Sequence, residues 1–164
     1  MSIRFIVDVN VGHLARWLRA QGYDTLFLNP ADDGELVDLA RRDGRVLLTK
    51  DAGILDRRPV RTGAARVLLV HGETVAEQLA YIASALGLSS PPAPFSRCLR
   101  CNDPLVLVPR EAVRGLVPAY VYAHHDAFSR CPSCQRIYWD GTHCTAMRTL
   151  LSDVGKSAPK TAVM

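Results

Sequence analysis

The chain has 164 residues, of which 48% are hydrophobic and 22% charged, as is ordinary for a globular protein in water. No apolar stretch reaches the roughly 18 residues that a membrane span needs, so we expect a soluble, cytoplasmic protein without a membrane partner. The net charge of +4 lies in the second half, because residues 1–90 carry 11 basic and 11 acidic side chains. This excess is too mild for a polycation.

The first half alternates strands and helices. Apolar runs predict strands at residues 3–7, 24–28, 45–49 and 66–70. Apolar residues at helical spacing predict helices at residues 11–18, 36–40 and 75–86, and Gly22 and Gly44 end the first two. The alternation predicts an α/β fold with a parallel sheet and helices on both faces. Right-handed crossovers then give the strand order two-one-three-four.

A stretch rich in proline and serine near residue 90 divides the chain. We expect an α/β domain at residues 1–90, a small module at residues 91–154 and a disordered polar tail at residues 155–164. A module of this size is too small to fold on its hydrophobic core alone. It therefore needs a further source of stability, which we expect to be a bound metal ion.

Two Cys-x-x-Cys pairs in the second half supply the ligands for that metal. Cys98 with Cys101, and Cys131 with Cys134, predict two knuckles that complete a tetrahedral four-sulfur zinc site, a zinc ribbon. We favour zinc over two disulfides because no signal peptide precedes the first strand. A thioredoxin-like redox motif is disfavoured because neither pair opens a helix after a buried strand. Cys144 is either a spare cysteine or a substitute ligand.

Three acidic residues are predicted to meet at the carboxyl edge of the parallel sheet. Asp8 and Asp51 follow the first and third strands, and Asp33 begins the second helix at the same edge. Three converging carboxylates need a cation, and their hard oxygen ligands suit Mg²⁺ or Mn²⁺. The alternative is that each acid caps a helix or turn. For Asp32 we favour capping, because Asp32 and Glu35 have the spacing of a capping box.

The chain resembles the Mut-seven carboxy-terminal RNase family, a PIN-like nuclease fold followed by a zinc ribbon. The resemblance covers residues 3 to about 151. It is carried by Phe5-Ile6-Val7-Asp8, Leu14-Ala15-Arg16-Trp17-Leu18-Arg19, Gly22-Tyr23-Asp24-Thr25, Asp33-Gly34-Glu35-Leu36, Leu47-Leu48-Thr49-Lys50-Asp51, Glu77-Gln78-Leu79, Arg97-Cys98-Leu99-Arg100-Cys101-Asn102, Cys131-Pro132-Ser133-Cys134 and Trp139-Asp140-Gly141-Thr142-His143.

The resemblance implies a nuclease site. In PIN-like nucleases, acids at the carboxyl ends of the sheet hold one or two divalent ions for phosphodiester hydrolysis, and the matching positions here are Asp8, Asp33 and Asp51. Thr49 matches a hydroxyl residue that orients the last acid. The implied cofactors are a structural zinc and a catalytic Mg²⁺ or Mn²⁺, and the implied substrate is single-stranded RNA.

Basic residues are the candidates for binding that RNA. By resemblance, Arg16 and Arg19 either hold the scissile phosphate or pair with acids such as Asp24. His143 either stacks on bases and contacts phosphate or packs against a zinc knuckle as an outer-shell group. The remaining members of the predicted substrate-binding set are Lys50, Arg97 and Arg100.

Two other functions compete with the metal-dependent ribonuclease. A non-catalytic adaptor would bind RNA, the ribosome, an RNA-processing partner or another protein. It is favoured by the lack of a clear fourth acid, for which Glu35 and Asp56 are the only nearby candidates. A phospho-acceptor receiver domain shares the strand order. It is disfavoured because only one acid ends the first strand and no lysine follows a fifth strand.

Overall fold

The computed structural model describes residues 2–157, which form a parallel and an antiparallel sheet. The strands of this part are β1 Phe5–Val7, β2 Thr25–Phe27, β3 Val46–Thr49, β4 Arg66–Leu69, β5 Val106–Val108, β6 Phe128–Arg130 and β7 Ile137–Trp139. Its α-helices are α1 Leu14–Ala20, α2 Asp33–Asp43, α3 Arg58–Arg61, α4 Val75–Leu86, α5 Ala119–His124 and α6 Thr142–Ser157. Within residues 2–157 no helix has the length and apolar character needed to cross a bilayer.

The parallel sheet has the order β2-β1-β3-β4, which confirms the predicted topology. Neighbouring strands are in register, with Ile6 opposite Leu26 on one side and Leu47 on the other. Helices α2 and α4 begin at Asp33 and Val75, as the sequence predicts, whereas α1 begins at Leu14 rather than at residue 11. Asp32 and Glu35 form a capping box at the start of α2, as expected.

Successive residues of the central strands pack on opposite faces of the sheet. Phe5 and Val7 of β1 join one buried cluster with α1 and α4, whereas Ile6 joins a second cluster with α2. Both faces are therefore covered, and β1 and β3 are completely buried. This rigid arrangement fixes the positions of the residues that directly follow β1 and β3.

The second half contains the antiparallel sheet β5-β6-β7. Its buried core is small and consists of Val113, Val117 and Phe128, with partly buried side chains around it. A core of this size cannot hold the module together, which agrees with the need for a metal.

Helix α6 returns from the second half to the first. It packs against α4, and Val154 is buried in the same cluster as Phe5 and Leu79. The sequence had not predicted this helix, and the expected tail began at residue 155, whereas α6 extends to Ser157. The rest of the expected tail lies outside the described residues.

Candidate active site and zinc centre

Asp8, Asn10 and Thr49 form a hydrogen-bonded group at the carboxyl ends of β1 and β3. Asp8 follows β1 and is 5% exposed. Its carboxylate accepts hydrogen bonds from the backbone N–H of Val9 at 2.6 Å, Nδ2 of Asn10 at 2.8 Å and the Thr49 hydroxyl at 2.7 Å. Three donors fix its orientation, and because a carboxylate has about four lone-pair positions, it can still accept a further ligand.

Asp51 lies beside this group, just beyond β3. Its backbone N–H donates to Oγ1 of Thr49 at 3.0 Å, and its Oδ1 caps a 3₁₀ helix by accepting from the N–H of Gly53 at 2.8 Å. Among the described residues, Oδ2 of Asp51 has no hydrogen-bond donor. Thr49 thus orients Asp51 through the backbone, while the proton of its hydroxyl goes to Asp8.

Asp33 does not join the other two acids in one compact group. It is the first residue of α2, and its Oδ2 lies 3.4 Å from a guanidinium nitrogen of Arg57. Within residues 2–157, the only set of three or more potential metal ligands whose atoms all lie within 4.8 Å of one another is the four cysteines. The structure therefore brings Asp8 and Asp51 together around Thr49 but does not converge all three carboxylates.

The candidates for a fourth acid do not complete the site. The carboxylate of Glu35 accepts a hydrogen bond from the N–H of Asp32 at 2.9 Å, so it is committed to the capping box of α2. Asp56 is an exposed residue at the end of the 3₁₀ helix that Asp51 caps.

Lys50 contributes a cation to the same edge. Its backbone N–H donates to Oδ1 of Asn10 at 3.0 Å, and its ammonium donates to the carbonyl of Gly72 at 3.2 Å. Gln78, only 2% exposed, donates to the same carbonyl and bonds His13 at 2.8 Å. An ammonium has three donors, so Lys50 retains two for an anion.

The four predicted zinc ligands lie together. The sulfurs of Cys98, Cys101, Cys131 and Cys134 are all within 4.8 Å of one another, and the Cys98 and Cys134 sulfurs are 3.7 Å apart. A tetrahedral site with Zn–S bonds of about 2.3 Å needs sulfurs about 3.8 Å apart. No two of the five cysteines are joined by a disulfide in the structure. The donor set and its spacing therefore fit a zinc ion better than two disulfides.

The two knuckles have the same local geometry. In each, the N–H of the second cysteine points to the first sulfur, at 3.3 Å for Cys101 and 3.5 Å for Cys134. The following residue, Asn102 or Gln135, has a left-handed backbone, with φ of 73° and 60° respectively. This conformation turns the chain sharply enough to present both sulfurs of a pair to one point.

Tyr138 lies just outside the four-sulfur group. Its hydroxyl lies 3.2 Å from the Cys98 sulfur and accepts the N–H of Leu99 at 3.1 Å. Burial raises the pKa of Cys98, but hydrogen bonds from Tyr138 and from backbone N–H groups outweigh it and bring the pKa to about 7. Hydrogen bonding to Cys134, burial and the Cys98 thiolate raise the pKa of Cys101 to about 12. Without a metal, Cys98 and Cys101 therefore do not ionise together. A bound cation is needed for both of them to become thiolates.

His143 and Cys144 lie outside the zinc centre. Cys144 donates to the carbonyl of Trp139 at 3.4 Å and is not a member of the four-sulfur group. His143 bonds the guanidinium of Arg16 through Nε2. The residue that contacts a zinc-ligand sulfur from outside the group is Tyr138.

Arg19 has a structural environment. It is 7% exposed, and its guanidinium donates to the carbonyls of Thr25 at 3.0 Å, Leu99 at 3.0 Å and Arg100 at 2.9 Å. Two roles were considered for Arg19: phosphate binding and an ion pair with an acid such as Asp24. Its bonds to backbone carbonyls correspond to neither role. Arg19 connects α1 to the backbone of the first knuckle, because its Nη1 donates to two carbonyls there.

Arg97 has a similar structural environment, whereas Arg100 does not. Arg97 donates to the carbonyls of Gly22 at 3.2 Å and Asn102 at 2.8 Å. Arg100 is exposed, and its side chain makes no ion pair or hydrogen bond with the described residues. Of the predicted substrate-binding arginines in the ribbon, Arg100 is therefore the one available to a ligand.

Sequence reasoning missed three residues that position these sites. Asn10 joins Asp8 to Thr49, Asn102 joins the first knuckle to the sheet, and Arg45 pairs with Asp24 at 2.8 Å. The position of Asn10, two residues after a strand-ending acid, is a local signal. The partners of Asn102 and Arg45 are distant in sequence, so no local pattern indicates them.

The comparisons with known proteins identify one family. The model of the family described as Mut7-C RNAse domain matches residues 3–151, a span that includes the acids and all four zinc-ligand candidates. This match confirms the resemblance inferred from the sequence. No curated protein and no solved structure matches the chain. The family match supports a nuclease-like role that involves RNA.

Proposed function

Because the chain belongs to the Mut7-C RNase domain family, we propose that it is a ribonuclease that hydrolyses the phosphodiester bonds of single-stranded RNA with Mg²⁺ or Mn²⁺. Its zinc ribbon contributes to substrate binding. The observation that carries this proposal is the pairing of Asp8 with Asp51 around Thr49 at the carboxyl ends of two adjacent strands. Open parallel sheets bind their ligands at this edge.

The donor set fits a hard divalent cation. Asp8 retains acceptor capacity after its three hydrogen bonds, and Oδ2 of Asp51 is free of donors within the described part of the chain. Mg²⁺ needs only one or two carboxylates, because it keeps several waters and takes oxygens from substrate phosphates. When bound, the ion supplies an activated water and offsets the charge that grows on the leaving oxygen.

The remaining residues of the edge position the acids and the phosphate. Thr49 and Asn10 hold the Asp8 carboxylate so that it does not rotate. Lys50 presents an ammonium beside them, which attracts the phosphate backbone of RNA. Asp33 joins the site only if it exchanges Arg57 for the metal. An exposed ion pair of this kind is worth about 0–1 kcal/mol, so the exchange is easily reached.

A second candidate function is an adaptor that binds RNA, a ribosome or a protein without cleaving. The observation in its favour is that Asp33 forms an ion pair with Arg57 instead of joining Asp8 and Asp51 in one compact group of acids. Such an arrangement suits a nuclease fold that has kept its binding surface and lost a ligand. The two functions differ in whether added metal produces cleavage.

The test is cleavage of an end-labelled single-stranded RNA by the zinc-loaded chain. The protein is dialysed free of other divalent ions, and Mg²⁺, Mn²⁺ or Ca²⁺ is then added, so that no chelator strips the zinc. We expect cleavage with Mg²⁺ or Mn²⁺ and none without them, and little with the same RNA as a duplex. Binding of the RNA without cleavage under every metal favours the adaptor.

A further inference from the structure

A cavity of about 650 Å³ lies between α1, the β6–β7 hairpin and the start of α6. Leu99 and Arg100 of the first knuckle and Phe95 of the linker also line it. Its volume falls within the range of roughly 300–1,000 Å³ found for ligand sites. Neither Asp8 nor Asp51 lines it, so it is distinct from the candidate active site.

The charged residues that line the cavity are mostly basic. Asp140 is the only acid among the lining residues, and it already accepts two hydrogen bonds from Arg148, at 2.7 and 2.8 Å. Guanidinium groups match phosphate oxygens with paired donors, so an arginine excess selects an anion such as phosphate. The arginines of the lining are Arg16, Arg97, Arg100, Arg136 and Arg148.

Two of these arginines are uncommitted. Arg97 bonds two backbone carbonyls, Arg148 bonds Asp140, and Arg16 bonds His143. Arg100 and Arg136 are exposed, and their side chains make no hydrogen bond or ion pair with the described residues. They lie on different knuckles and line the same cavity. Two guanidiniums that line one cavity and have no bond to the described residues are available to phosphate oxygens.

An aromatic surface completes the cavity. Phe95, Tyr138 and Trp139 line it with the apolar Leu99 and Ile137. Gly141 leaves room at the edge of the indole, because a Cβ there would lie 2.9 Å from Nε1 of Trp139. A wall that combines arginines with aromatic rings is the arrangement that binds single-stranded nucleic acid, in which rings stack on bases and arginines contact phosphates.

We propose that this cavity binds a nucleotide segment of single-stranded RNA beside the scissile phosphate, with Arg100 and Arg136 on the phosphates and Trp139 stacked on a base. The site deepens the proposed ribonuclease function and rests on it for the identity of the ligand as RNA. The RNA must be unpaired, because the bases of a duplex are already stacked and cannot enter a pocket.

Helix α1 leads from this cavity to the acids. It connects β1 to the parallel strand β2, so it starts at the carboxyl edge of the sheet and ends at the amino edge. Arg16 lies in its first turn and lines the cavity, whereas Arg19 in its last turn contacts Thr25 at the start of β2. Among the lining residues, Arg16 therefore lies toward the edge of the sheet at which β1 ends and Asp8 follows.

The first test is binding of a fluorescein-labelled oligouridylate to the zinc-loaded chain without other divalent metals, so that cleavage does not interfere. The double variant Arg100→Ala/Arg136→Ala is compared with Arg61→Ala/Arg66→Ala, which removes two exposed arginines from the first half. For Arg100→Ala/Arg136→Ala we expect the dissociation constant to rise at least about tenfold. The slope of log K against log salt should become shallower by about 1.4, because each phosphate contact in a single strand contributes about 0.7 to it. The control pair should stay within about twofold of wild type.

The second test reads stacking directly. Trp17→Phe leaves Trp139 as the only tryptophan, and its fluorescence is followed during titration with oligouridylate or with heparin, a polyanion without bases. We expect quenching by the oligouridylate and none by heparin at matched saturation. Equal effects of the two, or no quenching by either, overturn base stacking and leave a general anion surface.

The outcomes separate this inference from the proposed function. Cleavage by wild type, together with unchanged binding by the Arg100/Arg136 variant, overturns the cavity and leaves the ribonuclease. Binding that depends on both arginines and quenches Trp139, without cleavage under any metal, supports the cavity and favours the adaptor. Zinc content measured on each variant confirms that the knuckles are intact.

Discussion

The side-chain amide of Asn102 joins the first zinc knuckle to the parallel sheet. Its Oδ1 accepts the backbone N–H of Thr25 at 2.8 Å, and its Nδ2 donates to the carboxylate of Asp24 at 2.7 Å. Burial raises the pKa of Asp24, but hydrogen bonds from Arg45 and Asn102 outweigh it and hold the pKa below its usual value. Asn102 thus pairs with the outer edge of β2, where the buried N–H of Thr25 would otherwise be an unpaired donor.

We predict that Asn102→Gly lowers the free energy of unfolding by about 1–3 kcal/mol, because it leaves the buried N–H of Thr25 without an acceptor. Glycine tolerates the left-handed φ of 73°, so the change removes the side chain without straining the knuckle. Urea unfolding measures the loss, and zinc content should be unchanged.

The matched control is Gln135→Gly at the equivalent position of the second knuckle. Gln135 has a φ of 60°, and its exposed side chain donates to the carbonyl of Pro132 and makes no other hydrogen bond within residues 2–157. Its replacement should change stability by no more than about 0.5 kcal/mol. Equal effects of the two variants would mean that Asn102 does not connect the knuckle to the sheet.

We predict one tightly bound zinc per chain. Cys98→Ser should lose it, because the thiol is completely buried in the four-sulfur group, whereas Cys144→Ser should keep it. Elemental analysis of the purified variants gives the metal content. Zinc loss in Cys144→Ser with retention in Cys98→Ser would overturn the ligand assignment.

Tyr138→Phe should weaken zinc binding by about 10–100-fold, as loss of an outer-shell partner does. Removing the hydroxyl takes a hydrogen bond from the Cys98 thiolate and raises its pKa from about 7, so protons compete better for the sulfur. The pH at which half the zinc is lost should therefore rise.

Competition with a chromogenic chelator measures both effects. Tyr120→Phe is the control, because Tyr120 is 70% exposed and belongs to neither knuckle. Identical zinc affinities for wild type and Tyr138→Phe would remove Tyr138 from the support of the centre.

We predict that Arg57 competes with metal for Asp33. Arg57→Gln should lower the Mn²⁺ concentration for half-maximal cleavage by a few-fold, and Asp33→Asn should raise that concentration and lower the rate. Arg58→Gln is the control, because Arg58 is a neighbouring exposed arginine without an ion pair among the described residues. No response to either Arg57→Gln or Asp33→Asn would reduce Asp33 to a surface ion pair.

The fold follows from local patterns because apolar runs, helix caps and right-handed crossovers act over short stretches of chain. Those patterns predict the order β2-β1-β3-β4 and the Asp32 cap, and cysteine spacing predicts the zinc group. The contacts of Arg19 with the carbonyl of Leu99 and of Arg16 with His143 join residues far apart in sequence. They depend on how the two halves pack, which no local pattern encodes.

The candidate active site, too, could be predicted from the sequence only in part. Asp8 and Asp51 could be placed at one edge because each follows a strand of the predicted sheet. The ion pair of Asp33 with Arg57 could not be predicted, because the two residues are 24 positions apart in sequence. Helix α6 was missed because its buried residue Val154 has its partners in the first half of the chain.

The most direct test of the proposed metal-dependent ribonuclease compares Asp51→Asn with Asp32→Asn. Both acids cap helices through one oxygen, at 2.8 Å to Gly53 and 2.9 Å to Glu35, and asparagine keeps that oxygen. Each variant should therefore stay folded within about 1 kcal/mol of wild type. Asp8→Asn is harder to interpret, because three donors bond the Asp8 carboxylate. The NH₂ group of asparagine would face some of these donors and could not accept their hydrogen bonds, so the variant would also lose stability.

The measurement is the single-turnover rate of single-stranded RNA cleavage in Mg²⁺ or Mn²⁺, with thermal unfolding of each variant recorded alongside. We predict that Asp51→Asn lowers the rate at least about a hundredfold, as loss of a metal ligand does, and that Asp32→Asn leaves it within about twofold of wild type. A folded Asp51→Asn variant that cleaves at the wild-type rate would contradict the proposed active site.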